Sequence, residues 1–318
     1  MLVDGSFLEN EVTAKNLVTL TSIQAMQAEK RICEIRELAD DAARAAYSLY
    51  KEGYGIYEIL SIINEGIEFS EDIGAYDPMI ENASSVFAYA RTLASEDKAT
   101  FSRFFAEKLR AYEMPVSESD FLRDDKSRET FIYVKNLLAD EAYDVFSQEF
   151  SDPRVSYCHT FRDAVDSVLS GVTEYCILPL EERGGSRITG ISQMIFSDEL
   201  KISAVTPVFG MDGAADMKYA LVSRHFNIPK FDPDDDRYLE IRFMADSTAL
   251  LKDLLITADA HSVDVYRVNT VVFNTDDGAI PYFSVVFRKS KTDFSDFLVY
   301  LTLFCSSYTA VGIYNNLE

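Results

Sequence analysis

Three consecutive charged residues, Glu181, Glu182 and Arg183, are of types that could bind a ligand. They follow an apolar run, 174–178, which is predicted to be a buried strand leading into Pro179. Ligands of open α/β sheets bind beyond the carboxyl ends of the strands. Two carboxylates beside a guanidinium at this position would bind a cationic or amino-acid ligand, and a charged surface loop without a ligand is the alternative.

A second polar group follows a predicted strand nearer the C-terminus. Asp246, Ser247 and Thr248 come directly before a stretch with helical spacing that includes Leu250. Backbone N–H groups at a helix N-terminus donate hydrogen bonds to an anionic ligand, and hydroxyl groups can add to them. We expect these residues to bind a ligand, with Asn269 facing them from the neighbouring strand or subunit. An N-cap that binds no ligand is the alternative.

The last part of the chain contains the elements that must position this second group. Its hydrophobic periodicity predicts strands at 238–244, 263–274, 280–288 and 308–314, and helices at 248–259 and 293–304. The sequence Asp276-Asp277-Gly278 is typical of a hairpin turn between the second and third strands. This order predicts a ferredoxin-like βαββαβ domain over residues 238–318.

The order resembles the ACT domain, a small module that binds amino acids at a strand-to-helix loop, often across a dimer interface. Upstream, the segments 161–165 and 174–182 are similar to a stretch of the prephenate dehydratases that ends in Pro-Ile-Glu-Asn-Ser. The terminal Val311-Gly312-Ile313-Tyr314 is similar to that family's closing Leu-Gly-Ser-Tyr-Pro. The resemblance implies a dehydratase-like α/β lobe at 129–226, an acidic linker at 227–237 and the ACT-like domain.

Three departures from the dehydratase pattern lie where the family carries out catalysis. Met217, Lys218 and Tyr219 occupy the position of its Thr-Arg-Phe motif, so the threonine hydroxyl is missing. Carboxylates also stand where a dianionic substrate needs neutral or positive donors. The region in which the family inserts a second lobe is reduced to 211–216. The resemblance therefore implies a one-lobed protein that has no closed catalytic cleft.

Periodicity within the lobe predicts strands at 131–134, 154–158, 174–178 and 217–223, and helices at 139–146, 161–169 and 188–196. The helices would pack on a single sheet. The candidate site would then lie at the strand ends, in the segment 179–185.

The front of the chain, residues 1–113, is predicted to be an antiparallel helical bundle that precedes a polar linker at 114–128. Apolar residues recur every three or four positions from 13 to 51, a second helix is predicted at 56–67, and capping residues precede two more helices that start near 78 and 95.

The long first helix bears a distant resemblance to chorismate mutase. That activity would require several cations to converge on a dicarboxylate, and the helix offers Arg31, Arg36, Arg44 and Lys51. Solvated charges on an amphipathic helix are the alternative.

The composition argues against several classes of function. A net charge of −23 over 318 residues disfavours nucleic acid and anionic membrane surfaces, because like charges repel. The four cysteines and three histidines lack the spacing of metal ligands, so we expect neither a metal nor a cofactor. Neither a membrane-spanning run nor a signal peptide is recognisable, and we expect a cytoplasmic protein.

The sequence thus predicts an α+β / α/β multidomain fold with an all-α bundle, a single α/β lobe and a ferredoxin-like domain. The favoured function is non-catalytic binding of an amino acid or aromatic-pathway metabolite in a regulatory role. The alternative is an active aromatic amino-acid biosynthesis enzyme, either a prephenate dehydratase or a chorismate mutase.

A homodimer is also expected. The C-terminal sheet carries more large apolar side chains than one layer of helices can cover, including Val265, Phe273, Phe283 and Val285. A further contact is expected along the long helix, where small residues allow close approach, namely Ala39, Ala42, Ala43, Ala45 and Ala46.

Overall fold

Helices form the front of the chain. The computed structural model describes residues 5–65, 78–121, 129–209, 215–227, 236–245, 248–275, 278–289, 293–305 and 308–317. The front helices are α1 (Gly5–Lys51), α2 (Ile56–Glu65), α3 (Pro78–Arg91) and α4 (Ser95–Ala111). Gly53, with a φ of +100°, provides the left-handed residue at which the chain leaves α1. The predicted cap before residue 78 lies outside the described residues.

The alanines of α1 pack inside this bundle. Ala39, Ala42 and Ala43 are fully buried, and Ala45 and Ala46 are nearly so. They belong to one core with apolar residues of the other three helices. The expected contact of these alanines with a second copy is therefore not found, because the chain's own helices already cover them.

The α/β lobe contains β1 (Thr130–Val134), α5 (Leu137–Ser147), β2 (Arg154–Cys158), α6 (Phe161–Leu169), β3 (Tyr175–Glu182), α7 (Thr189–Ser197), β4 (Lys201–Phe209) and β5 (Ala215–Ser223). The strand order is β2-β1-β3-β5-β4, in which β1 runs parallel to β2 and β3. Strand β5 is antiparallel to both β3 and β4. Only five residues, 210–214, separate β4 from β5, and these two strands pair as an antiparallel hairpin.

The C-terminal domain contains β6 (Arg237–Met244), α8 (Thr248–Ala260), β7 (Asp264–Thr275), β8 (Gly278–Lys289), α9 (Ser295–Phe304) and β9 (Thr309–Asn315). The sheet is antiparallel with the order β7-β8-β6-β9. This is the ferredoxin-like order, and with the helical front and the single lobe it confirms the predicted fold class.

Both faces of the ferredoxin-like sheet are covered within the chain. Helices α8 and α9 cover one face and pack in turn on the bundle, where Phe101 and Phe304 meet edge to face. The α/β lobe covers the other face, because Tyr238, Val311 and Tyr314 share a core with strand β4 of the lobe. A second copy is therefore not needed to cover either face.

The residues on which the dimer prediction rested have different surroundings. Val285 is fully buried under the helices, and Phe283 is partly buried against the same core. Val265 is exposed on the edge strand β7. The side chain of Phe273 lies outside the described part.

The start of the predicted linker packs against the rest of the chain. Met114 is buried in the bundle core. Glu118 is also buried, accepts a hydrogen bond from the Phe294 backbone N–H at 2.8 Å and lies 2.8 Å from the Arg237 guanidinium. Residues 114–121 therefore contact both the bundle and the ferredoxin-like domain.

Candidate functional site

A cavity of about 510 Å³ lies at the carboxyl ends of β1 and β3, where helices α5, α6 and α7 begin. We call it the strand-end pocket. Its lining residues are Asn136, Leu138, Phe161, Pro179, Ile188, Gly190, Ile191, Met194, Met217 and Tyr219. The volume lies within the range of about 300 to 1,000 Å³ that is usual for small-molecule sites.

Local capping holds the polar rim of this pocket in place. Asn136 is the N-cap of α5, where its side chain accepts a hydrogen bond from the Ala139 N–H and donates one to the Val134 carbonyl, both at 3.0 Å. Helix α6 begins directly after its N-cap Thr160, which forms a capping box with Asp163. The first turns of the helices therefore face the pocket, and their positive ends favour a negatively charged or polar ligand group there.

The chemistry of the lining is apolar and uncharged. Tyr219 is the one described lining residue with a side chain that ionises, and burial raises the pKa of its hydroxyl, although Asn136 opposes the shift. At neutral pH the phenol therefore stays protonated and can only donate or accept a hydrogen bond. The described lining has no carboxylate, imidazole, thiol or amine, and so it lacks the groups that usually act as general acid, general base or nucleophile.

The sequence identified part of this pocket. Met217 and Tyr219, at the position of the dehydratase motif, both line it, as does Pro179. Sequence reasoning missed the residues from the helix starts. A signal for Asn136 was present, because an asparagine that directly follows a strand and precedes a helix is a typical N-cap.

Glu181 does not line the strand-end pocket. The pairing of β3 with β5 shifts register between Pro179 and Glu181, and this bulge re-aims the carboxylate toward the ferredoxin-like domain. The side chain is only 6% exposed there. Glu182, the last residue of β3, and Arg183, in the turn that follows, are both exposed. The predicted trio is therefore not assembled into one ligand site.

Glu181 belongs instead to an ion cluster between the lobe and the ferredoxin-like sheet. Its carboxylate pairs with the Arg267 guanidinium of β7 and lies 3.2 Å from the Arg187 Nε atom. The Lys218 Nζ atom lies 3.9 Å from Glu181 Oε2, and Oε2 has no hydrogen-bond partner among the described residues. We use "ion cluster" for Glu181, Arg187, Lys218, Arg267 and Glu240. A second cavity of only about 20 Å³, the ionic chamber, is lined by the first four of these residues.

Glu240 of β6 is the second carboxylate of the ion cluster. It lies 2.7 Å from Arg187 Nη2 and accepts hydrogen bonds from Ser284 at 2.9 Å and Tyr314 at 3.3 Å. Burial raises the pKa of Glu240, but the charges of Arg187 and Arg242 outweigh this effect and hold the pKa below its usual value. The cluster is therefore charged, and it joins the lobe to strands β6 and β7 of the second sheet.

The predicted ligand loop of the ferredoxin-like domain is only partly described. Asp246 and Ser247 lie outside the described residues, and Thr248 begins α8. Leu250 packs into the core under the helices. Asn269 pairs with Ser284, whose hydroxyl bonds Glu240 on the opposite, lobe-facing side of the sheet. Within one chain Leu250 and Asn269 are thus on different faces, and an arrangement between subunits stays a prediction.

The cations of the long helix each have a local partner. These contacts are Arg31 to Asp97, Arg36 over the Phe104 ring at 4.6 Å, Arg44 to Asp40 at 2.9 Å and Lys51 over the Tyr47 ring at 4.8 Å. The contacts agree with the interpretation of these residues as charges on an amphipathic helix surface.

Two features are absent from the described part of the chain. No helix there is long and apolar enough to cross a membrane. No group of three or more histidine, cysteine, aspartate or glutamate side chains there could hold a metal ion.

Comparison with known proteins gives likenesses of fold. No family model and no curated protein matches the sequence. Among solved structures, the chain is similar to prephenate dehydratase from Streptococcus mutans, with 12% identity, a TM-score of 0.48, and coverage of 59% of this chain and 99% of that one. It is also similar to the quorum-quenching acylase GqqA, with 16% identity, a TM-score of 0.44, and coverage of 59% and 95%.

A third similar structure is prephenate dehydratase from Arthrobacter aurescens in complex with L-Phe, with 14% identity, a TM-score of 0.42, and coverage of 58% and 89%. These likenesses do not extend to the chemistry of the site.

Proposed function

We propose that this chain is a non-catalytic binding protein that takes an aromatic metabolite or an amino acid into the strand-end pocket, in a regulatory role. One observation carries the proposal. The described lining of the pocket is apolar apart from the amide of Asn136 and the protonated hydroxyl of Tyr219. Such a surface can bury a ring and orient it through hydrogen bonds, but it offers no carboxylate, imidazole, thiol or amine to act as a general base or nucleophile.

The proposed ligand has one carboxylate. A ring would contact Phe161, Ile191 and Met194, and the carboxylate would lie at the first turns of α5 and α7. A dianion is a poorer fit, because no described lining residue carries a positive charge. Phenylpyruvate and the aromatic amino acids have the required size and charge.

Calorimetric titration tests this proposal, with phenylalanine, tyrosine, tryptophan and phenylpyruvate as the ligands. We expect heat of binding with at least one of them. The matched variants are Gly190→Phe and Gly190→Ala. A Cβ atom built at Gly190 meets nothing within 4 Å, so the phenyl ring can fill the pocket while the methyl group leaves it open.

The Gly190→Phe variant should lose binding at least tenfold, and Gly190→Ala should bind like the unchanged protein. If both variants bind equally well, the ligand occupies another site. If none of the four compounds gives heat, the proposal is wrong.

The alternative function is enzymatic, either a prephenate dehydratase or a chorismate mutase in the helical bundle. Two observations speak against it: the cations of α1 are paired, and the described pocket lining has no carboxylate, imidazole, thiol or amine. Consumption of prephenate and chorismate by the purified protein decides the question. We expect neither substrate to be consumed above the uncatalysed rate.

We also propose a cytoplasmic homodimer that forms through the edge of the ferredoxin-like sheet. In the described chain β7 pairs with β8 alone, and it exposes Val265, Val268 and Val272. Unpaired apolar edges are usually covered by another strand. Light scattering at micromolar concentration should give twice the mass of one chain, and a Val268→Lys variant should give the monomer mass.

A further inference from the structure

Neighbouring residues of the same strands line the strand-end pocket and the ionic chamber. On β5, Met217 and Tyr219 face the pocket, and Lys218 between them faces the chamber. Between β3 and α7, Ile188 lines the pocket while Arg187 lines the chamber. The two cavities therefore have shared walls, and one cannot change its shape without moving residues of the other.

Arg187 ties the start of α7 to the ferredoxin-like sheet. Its guanidinium lies 3.2 Å from Glu181 through Nε and 2.7 Å from Glu240 through Nη2. The next residue, Ile188, is the N-cap of α7 and donates its backbone N–H to the Leu180 carbonyl at 3.1 Å. The position of the first turn of α7 is thus fixed by a charged contact that comes from another domain.

The rest of α7 also lies between the strand-end pocket and the ferredoxin-like sheet. Its residues Ile191 and Met194 line the pocket. On the other side, Gln193 donates a hydrogen bond to the Val272 carbonyl of β7, and the Arg242 guanidinium of β6 lies 5.0 Å above the Phe196 ring. Helix α7 is therefore a wall of the pocket that rests on the second sheet.

We infer that Arg187 is a positioning residue, through which Glu240 of the ferredoxin-like sheet sets the width of the strand-end pocket. The inference rests on the proposed function, and it deepens that function by naming how the binding site is regulated. Any event that moves β6 alters the contact between Glu240 and Arg187 and so shifts α7. Binding in the pocket would shift β6 by the same coupling, because coupling between two sites is reciprocal.

A fluorescence experiment tests the inference without a ligand. The sequence contains no tryptophan, so Gly190→Trp places the only indole of the chain at the pocket. Quenching by acrylamide then measures how open the pocket is in the folded protein. Adding Glu240→Gln should raise the quenching constant at least twofold, although Glu240 itself does not line the pocket.

Two Arg187 variants separate positioning from charge alone. In the Gly190→Trp background, Arg187→Met should raise quenching as Glu240→Gln does, while Arg187→Lys should give a smaller rise because it keeps a cation near both carboxylates. Arg288→Met is the control. It removes a cation from the same sheet, 3.0 Å from Asp264, without touching the ion cluster.

If the Glu240→Gln protein does not fold, as judged by circular dichroism, Tyr314→Phe replaces it. This change keeps both charges and removes the hydroxyl that contacts Glu240 and Arg187. A rise in quenching beyond that of Arg288→Met supports the inference. A quenching constant that stays at the control value in all these variants overturns it. The proposed function is judged separately by the titrations, which use a protein without the indole.

Discussion

Replacing Gly312 with alanine should force the lobe and the ferredoxin-like sheet apart. Gly312 lies on β9, where this strand crosses β4. A Cβ atom at this position would lie 2.2 Å from the Ile202 carbonyl oxygen and 3.1 Å from both the carbonyl carbon and the Cβ atom of Ile202. The obstacle is mainly backbone within a paired strand, and it cannot rotate away as a flexible side chain would.

The cost can be estimated from these distances. Non-bonded atoms pack at about 3.5 Å or more, so the two strands must separate by about 1 Å. Overpacking of this kind costs about 1 to 3 kcal/mol. The movement would also strain the hydrogen bond from the Leu317 N–H to the Val205 carbonyl, now 2.8 Å long, which is worth about 1 kcal/mol. We expect a total loss of about 3 kcal/mol in the free energy of unfolding.

Calorimetric melting and urea unfolding measure this loss. At about 1.5 °C per kcal/mol for a chain of this length, the Tm of Gly312→Ala should fall by about 4 to 5 °C. Gly190→Ala is the matched control, because its Cβ atom meets nothing within 4 Å and the site is helical. The control should keep its Tm or gain slightly, since alanine favours helix over glycine by up to about 1 kcal/mol. Equal melting temperatures for the two variants would refute the close approach of the sheets.

Three further changes probe other buried contacts. Burial lowers the pKa of His261 from 6.5 to about 4, so between these pH values the unfolded chain binds a proton that the folded chain does not bind. The free energy of unfolding should therefore fall by about 3 kcal/mol as the pH drops from 6.5 to 4. The urea midpoint of His261→Gln should not show this part of the pH dependence. Glu118→Gln removes the carboxylate charge that lies 2.8 Å from the buried Arg237 guanidinium and should cost about 3 kcal/mol in urea unfolding, whereas Glu107→Gln at an exposed site of α4 should stay within about 0.5 kcal/mol. Ala42→Leu should lower stability by about 1 to 3 kcal/mol at every protein concentration, because this alanine is buried in its own bundle, while Ala25→Leu at an exposed site of α1 should not.

The sequence alone was sufficient to predict most of the helices and strands. The predicted strand 154–158 and helix 161–169 match β2 and α6 to the residue. Their boundaries are local, since Pro153 precedes the strand and a capping box closes on Thr160 at the start of the helix. The order of strands and helices at the C-terminus likewise followed from periodicity, and the ferredoxin-like topology agrees with it.

The direction in which a single side chain points was harder to predict from the sequence. Strand alternation placed Glu181 on the same face as Pro179, and the pairing of β3 with β5 overrides this by a bulge between the two residues. A bulge depends on the register of a strand forty residues away. No local pattern in the sequence of β3 indicates this bulge.

The tertiary structure also decided what covers each surface. From sequence alone, the apolar face of the ferredoxin-like sheet and the alanine stripe of α1 both required a partner, and a second copy was the natural choice. The fold supplies partners from within the chain, namely the lobe for the sheet and the bundle for the helix. A hydrophobic pattern determines that a surface must be buried, because exposed apolar area is costly in water. It does not determine which surface buries it, since that depends on how distant parts of the chain meet.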